Sequence, residues 1–178
     1  FELPDAEGNL VAITRSPGIS TTVNFGAVGQ GGSIDIEGSF LQMSDGARVN
    51  TGTLGQLSID GLPSNAGDIK IDIADTVSFS RGASVNSSTF GQGDAGDVTL
   101  LAGGSVSFDG IRVVNGALLT SGILSQVGNL PTEAGNLIGN GDGGDIKLEA
   151  GTLALTNGAG IAADTLGQGD SGIIDLDL

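Results

Sequence analysis

The chain has 178 residues, with 21 acidic against six basic side chains for a net charge of −15, and no Cys, His, Trp or Tyr. Phosphate binding needs a basic surface and an anionic bilayer repels an acidic one, so the balance argues against a nucleic-acid partner and against membrane binding. Lack of Cys excludes a disulfide scaffold and thiol chemistry, and no apolar run reaches the about 18 residues of a spanning helix, so no membrane insertion is expected.

Phe1 opens the chain without a Met or a signal peptide, which reads as a processed or excised fragment. Helix signals are scarce, because Gly interrupts each Ala-Leu patch. Strand signals abound, with Ile, Val, Leu and Phe alternating with polar residues. In chain order, residues 1–31 form a partial or irregular first copy of a repeated unit. Gly32 opens GSIDIEG, where Ile34 and Ile36 mark one short strand; Leu41 and Met43 mark a second, and Val49 and Leu54 a third. The three signals return after Gly67 as Ile69/Ile71, Val77/Phe79 and Val85/Phe90. After Gly96 they are Val98/Leu100, Ile111/Val113 and Leu119/Leu124, and after Gly144 they are Ile146/Leu148, Leu153/Leu155 and Ile161/Leu166. Gly172 begins a last copy with Ile174 and Leu176.

A second anchor is an x-Gly-Ala turn whose first member precedes a Gln by eleven residues: DGARVNTGTLGQ from Asp45, RGASVNSSTFGQ from Arg81, NGALLTSGILSQ from Asn115 and NGAGIAADTLGQ from Asn157. The glycines that start the copies are 35, 29, 48 and 28 residues apart. The unit is therefore 28–29 residues, with insertions in the first and third copies. The copies run 32–66, 67–95, 96–143 and 144–171, and a further one starts at 172–178.

One unit cannot bury its own apolar face, whereas stacked units bury it and pair each strand above and below. The expected fold class is all-β: one parallel β-helix, or solenoid, over 1–178, with three strands per coil. Roughly five to six coils make a rod of roughly 25–30 Å. The hand of parallel crossovers makes it right-handed. The duplicated phrases TFGQGDAGDV at 89–98 and TLGQGDSGII at 165–174 then form one corner. There Phe90 and Leu166 point inward, and Gln92 and Gln168 form a ladder with Gln56 and Gln126. Asp45-Gly46 and Asn157-Gly158 are turn pairs, and Arg81 is placed for a salt bridge to Asp45 in the adjacent coil.

The units GDIKIDIADTVSFSRGASVNSSTFGQGDAG and GDIKLEAGTLALTNGAGIAADTLGQGDSG resemble repeats of filamentous-haemagglutinin-type exoproteins, above all the large cyanobacterial ones of the two-partner secretion route. The resemblance spans about residues 30 to 178 and rests on the repeat pattern. It implies a long secreted right-handed β-helix at the surface of a Gram-negative bacterium, exported by an outer-membrane transporter. The implied role is adhesion, aggregation or biofilm formation, with a cell-surface or extracellular-matrix partner. The family's N-terminal secretion cap is not recognisable in this chain.

Four chemistries compete at particular residues. Asp68, Asp97 and Asp145 share a corner with Asp94, Asp142 and Asp170. Stacked carboxylates at strand spacing repel by about 1 kcal/mol per pair in water, so something offsets the charge. Calcium held by Asp94, Asp97, Asp142 and Asp145 is one option, and GNGDGGDI at 139–146 is faintly like a calcium-binding nonapeptide. Capping of backbone N–H groups is the other. The insertions LSIDGLPSNAG (57–67) and VGNLPTEAGNLIGNGDGG (127–144) leave one corner, and their Leu62, Pro63, Asn65, Leu130, Pro131, Glu133 and Asn136 are candidate interaction-loop residues. Paired carboxylates such as Asp72 and Asp75 could serve a polysaccharide-degrading enzyme, but no His base and no Tyr or Trp platform accompanies them, so no catalytic residue and no cofactor is expected. Thr53, Thr89 and Thr165 share a position, as in an ice-binding solenoid, but Ile123 breaks the row. Asn86-Ser87-Ser88 matches a glycosylation acceptor. The reading is a structural segment of a secreted adhesin. Its alternative is a self-assembling filament subunit joined through the end strand at Ile174, Leu176 and Leu178, an uncapped edge ready to pair.

Overall fold

The structure, a computed structural model, describes all residues except 1, 5–9, 13–16, 25–26, 28, 55–62, 115, 129 and 133–134. Among the described residues there is no helix. The strands begin with β1 (Glu2–Pro4), β2 (Leu10–Ala12), β3 (Gly18–Val23), β4 (Ile34–Met43), β5 (Arg48–Thr53) and β6 (Ile69–Ser80). They continue with β7 (Ser84–Phe90), β8 (Val98–Ala102), β9 (Ser105–Asp109), β10 (Ile111–Val114), β11 (Ala117–Thr120) and β12 (Gly122–Gly128). The last are β13 (Leu130–Thr132), β14 (Gly135–Leu137), β15 (Ile146–Glu149), β16 (Thr152–Thr156), β17 (Gly160–Thr165) and β18 (Ile174–Asp177).

The architecture is all-β, with mostly parallel strands in curled sheets. One sheet has five parallel strands in the order β17-β12-β7-β5-β3. The other has seven, β4, β6, β8, β9, β15, β16 and β18, all parallel. Three antiparallel hairpins, β1–β2, β10–β11 and β13–β14, stand apart. Like residues pair with like across each sheet. Ile34, Ile69, Val98, Ile146 and Ile174 are successive partners, as are Ile36, Ile71, Leu100, Leu148 and Leu176. In the five-stranded sheet the row is Ile19, Val49, Val85, Ile123 and Ile161.

The inward rows of both sheets meet in one apolar cluster. Ile71, Val77, Val85, Val98, Leu100, Ile123, Ile146 and Leu148 have no exposed surface. Phe79 and Phe108, partners in neighbouring strands, stack with ring centroids 5.0 Å apart and planes 16° from parallel.

Several expectations from the sequence are corrected. The expected three strands per coil are not separate in the first two copies, where the first and second signals run on as one strand in β4 and β6; in the next two copies they are β8 and β9, then β15 and β16, of the same seven-stranded sheet. In the third copy, the second signal is Val106 and Phe108, which pair with Val77 and Phe79, and not Ile111 and Val113. Ile111 and Val113 lie on the β10–β11 hairpin, 45% and 65% exposed. Ile123, not Leu119, holds the inward place beside Val85, and Leu124 faces Asn86. The NGALLTSGILSQ match is thus out of phase with the other three. A hairpin is inserted at the turn itself, where Gly110 keeps the left-handed turn backbone at φ +78°.

Phe90 and Leu166 also point outward, 37% and 63% exposed. The alternation that starts from Val85 sends Ser87 and Thr89 inward, and both are fully buried. Their hydroxyls bond loop groups, which offsets the cost of burying a polar row. Thr53 and Thr89 are among these buried residues, so two members of the Thr53, Thr89 and Thr165 row are withdrawn from solvent. Ser87 and Ser88 of the glycosylation pattern are buried in β7 as well.

Candidate functional site

The corner where the five-stranded sheet leads into the next copy is built on glycine. At Gly96 a Cβ would stand 2.3 Å from the Gly67 carbonyl oxygen, and at Gly144 one would stand 2.2 Å from that of Gly96. The inward hydroxyls of the five-stranded sheet lock this column. Ser87 Oγ donates to the Gly67 carbonyl at 3.0 Å and accepts the Gly96 N–H at 2.9 Å. Ser125 Oγ repeats the pattern between Gly96 and Gly144, both at 3.0 Å. Thr51 Oγ1 donates to the Gly67 carbonyl at 2.5 Å.

Two acidic rows flank the glycines. Asp68 Oδ1 accepts the Asp97 N–H at 2.9 Å, Asp97 Oδ1 accepts that of Asp145 at 2.8 Å, and Asp145 Oδ1 accepts that of Ile173 at 2.8 Å. In the second row Asn65 Oδ1 accepts from Asp94 at 3.0 Å, Asp94 Oδ1 from Asp142 at 2.9 Å and Asp142 Oδ1 from Asp170 at 2.8 Å. The charge is thus offset by backbone N–H groups, each supplied by the following copy and not by the local turn. Among the described residues no three carboxylates gather in the manner of a metal site, and the calcium candidates Asp94, Asp97, Asp142 and Asp145 are all rungs of these two rows.

An amide row runs beside them. Asn140 bridges Gln92 on one side and Gln168 on the other, and its Nδ2 donates to Gln92 Oε1 at 3.3 Å. This corrects the expected Gln ladder. Gln126 lies in β12 opposite Ser88 and Asp164, and Gln56 falls outside the described residues. The missed residue had a signal: GNGD at 139–142 matches GQGD at 91–94 and 167–170. Residues Pro63, Gln92, Asp94, Asn140 and Asp142 line an open concavity of about 500 Å³ at this corner.

The loop candidates divide. Asn65 is itself a rung, with its N–H donated to Gln30 Oε1 at 2.9 Å, and the Pro63 carbonyl accepts from Gln30 Nε2 at 3.1 Å. Leu130 and Pro131 lie on β13 and Asn136 on β14, where Pro131 pairs with Asn136. Leu62 and Glu133 lie outside the described residues. At the enzyme candidates, Asp72 borders a second concavity of about 290 Å³ shared with Glu149 and Leu101, while Asp75 accepts from the Thr76 hydroxyl at 3.1 Å.

The x-Gly-Ala turns form a further corner. Asp45, Arg81 and Asn157 have φ of 58°, 49° and 52°, and the glycines after them continue the left-handed backbone. Arg81 grips Asp45 with two bonds, Nε to Oδ1 at 2.7 Å and Nη2 to Oδ2 at 2.5 Å, as expected from the sequence. Arg112 of the inserted hairpin donates to the Asp45 carbonyl. The Arg81 bonds, with help from the Ser44 hydroxyl, hold the Asp45 carboxyl at about 2. A depressed carboxylate stabilises the fold above its unfolded pKa, and that contribution is lost as pH falls through about 2. In Arg81→Ala the Asp45 carboxyl resonance should therefore titrate back in the ordinary range, about 3.9. Carbon-detected NMR titration of both proteins checks this, and an unchanged midpoint would show that Arg81 does not hold the charge.

At the far margin of the seven-stranded sheet, Lys147 sits 2.6 Å from Glu149, which raises its pKa, and Asp175 and Asp177 add to the effect. Among the described residues β18 pairs with β15, and Ile174, Leu176 and Leu178 are 42%, 44% and 63% exposed. No family model, curated protein or solved structure matches the chain at a significant level.

Proposed function

We propose that this chain is a structural, interaction-bearing segment: a β-solenoid rod of stacked repeats in a large secreted or cell-surface adhesin. The observation that carries the reading is the like-on-like register, in which equivalent residues of successive copies pair through both parallel sheets. Such pairing lets units be added along one axis without a new core design. The repeat resemblance to filamentous-haemagglutinin-type exoproteins supports a secreted, bacterial-surface setting, export through an outer-membrane transporter, and a role in adhesion, aggregation or biofilm formation. The inserted hairpins β10–β11 and β13–β14 are the parts displayed to a cell-surface or matrix partner. Val113 and Leu118, 65% and 61% exposed, are the apolar contacts that the first of them offers.

The same register, continued from one subunit to the next, favours a second reading, a filament in which subunits join end to end. Electron microscopy of the native polypeptide, with its intact mass, separates the two. Thin isolated rods and a mass far above 17.5 kDa, with more copies of the repeat, are expected for the adhesin. Long fibres built from chains close to 17.5 kDa would replace it with the filament.

A further inference from the structure

The five-stranded sheet turns Val49 and Val85 inward, so by alternation Arg48, Asn50, Ser84 and Asn86 face outward. Two buried side-chain polar atoms among the described residues lack a hydrogen-bond partner, and both belong to this face: Arg48 Nε and Asn86 Oδ1. Arg48 pairs with Ser84 and Asn50 with Asn86, so the two are diagonal neighbours on adjacent strands. A donor or acceptor shut off from water and left unpaired is costly, which makes two side by side a feature that needs a cause.

Neither finds a partner along its own row. Arg48 lies between Gly18 and Ser84, beyond which come Gly122 and Gly160, so its row holds no carboxylate. Asn86 lies between Leu124 and Asn50, and the Asn50 Nδ2 is turned away to Thr22 Oγ1 at 3.3 Å. The other described bases are provided for. Arg81 grips Asp45, Arg112 donates to the Asp45 carbonyl, Lys147 sits 2.6 Å from Glu149 and Lys70 stands opposite Asp35. In a chain of net charge −15, Arg48 is thus the one described Lys or Arg with neither a bonded acceptor nor an acid opposite it. Both residues are half-buried, and the Arg48 Nη atoms and Asn86 Nδ2 remain open to solvent, so a ligand can reach the pair.

A cationic donor beside an amide acceptor selects a ligand that carries an oxyanion and a hydroxyl on one small frame. A carboxylate matches the guanidinium fork. A sulfate or an acidic side chain supplies the oxyanion but no hydroxyl, and a neutral sugar supplies the hydroxyl but no charge. A uronic acid residue supplies both. The net charge of the chain repels a dense polyanion, so the acid must be sparse along its polymer. We propose that the face around Arg48 and Asn86 binds a uronic acid residue of a sparsely charged glycan, the guanidinium holding the carboxylate and Asn86 Oδ1 accepting a ring hydroxyl. This names the partner chemistry of the adhesin reading and rests on that reading for the setting in which such a glycan is met.

NMR titration of the isotope-labelled 178-residue chain with methyl β-D-glucuronide at neutral pH tests it. Saturable shifts are expected at the Arg48 Nε–H and the Asn86 side-chain amide. Methyl β-D-glucoside keeps the hydroxyls without the charge, and acetate keeps the charge without the hydroxyls; each should bind at least about tenfold more weakly. Asn86→Asp supplies a carboxylate within the chain that should occupy Arg48 and weaken the glucuronide at least about tenfold. Arg48→Gln should make glucuronide and glucoside equal, which decides the matter if the first variant fails to fold. Equal affinity of wild type for the three probes, or no saturable shift at these two side chains, would overturn the proposal. So would a crystal structure of the probe-soaked protein in which an ordered water alone bridges Arg48 Nε and Asn86 Oδ1. Native particles that are not rods in the microscope would remove the adhesin reading and leave a glucuronide-specific titration standing.

Discussion

Gly96→Ala should destabilise the fold by about 3 kcal/mol or more, a large share of the about 5–15 kcal/mol by which a domain is held folded. The new methyl carbon would lie 2.3 Å from the Gly67 carbonyl oxygen and 2.8 Å from Ser87 Oγ. The first of these is backbone, so the clash cannot be relieved by turning a side chain. Moving the corner apart would also break the bonds through which Ser87 ties Gly67 to Gly96. Gly38→Ala is the contrast. Its Cβ would find Ile73 Cδ1 at 3.7 Å, an ordinary contact, and the change should stay within about 0.5 kcal/mol. Urea unfolding of both variants checks the pair. Equal midpoints would mean that the glycine column is not tightly packed.

Phe108→Ala should cost about 3–5 kcal/mol, because the ring is fully buried and its loss opens a cavity between copies. Its stacking partner Phe79 loses a face, and Leu155, on the other side of Phe108 in the sheet, loses a neighbour. Phe40→Ala removes the same ring from a residue 70% exposed and should be close to neutral. Differential scanning calorimetry would show the first as a large drop in Tm and the second as little change. A small effect at Phe108 would mean that the sheets close over the gap.

These two sites also mark how far the sequence can be read. The first-strand register is legible throughout, because Gly-Asp followed by alternating apolar residues recurs without interruption from Gly67 to Gly144. The third copy misleads, because a local pattern there imitates the turn. NGALLTSGILSQ has the right spacing but belongs partly to an inserted hairpin, so the pattern favours Val113 over Phe108, the one aromatic ring of that copy and fully buried. Inwardness in the five-stranded sheet is hidden for a different reason. Hydrophobicity favours Phe90 and Leu166 for the interior, yet Ser87, Thr89 and Ser125 hold it because the neighbouring corner supplies partners for their hydroxyls. Only the three-dimensional position of that corner reveals this. The acidic rows are visible as repeated aspartates, but their N–H donors come from the following copy, a relation that composition does not show.

The acidic corner has a direction. In each row the side-chain acceptor lies earlier in the chain and the N–H that it receives comes from a later residue, from Gln30 and Asn65 through Asp142 and Asp170. A polypeptide emerging N-terminus first therefore meets, at every step, a ready row of acceptors on the part already formed. The backbone runs in the opposite sense: the N–H groups of Ala66, Ala95 and Gly143 donate to the carbonyls of Asp94, Asp142 and Asp170, so each copy both receives from the next and gives to it. Two neighbouring copies are thus zipped by bonds of both polarities at this corner, and parting them breaks both sets together.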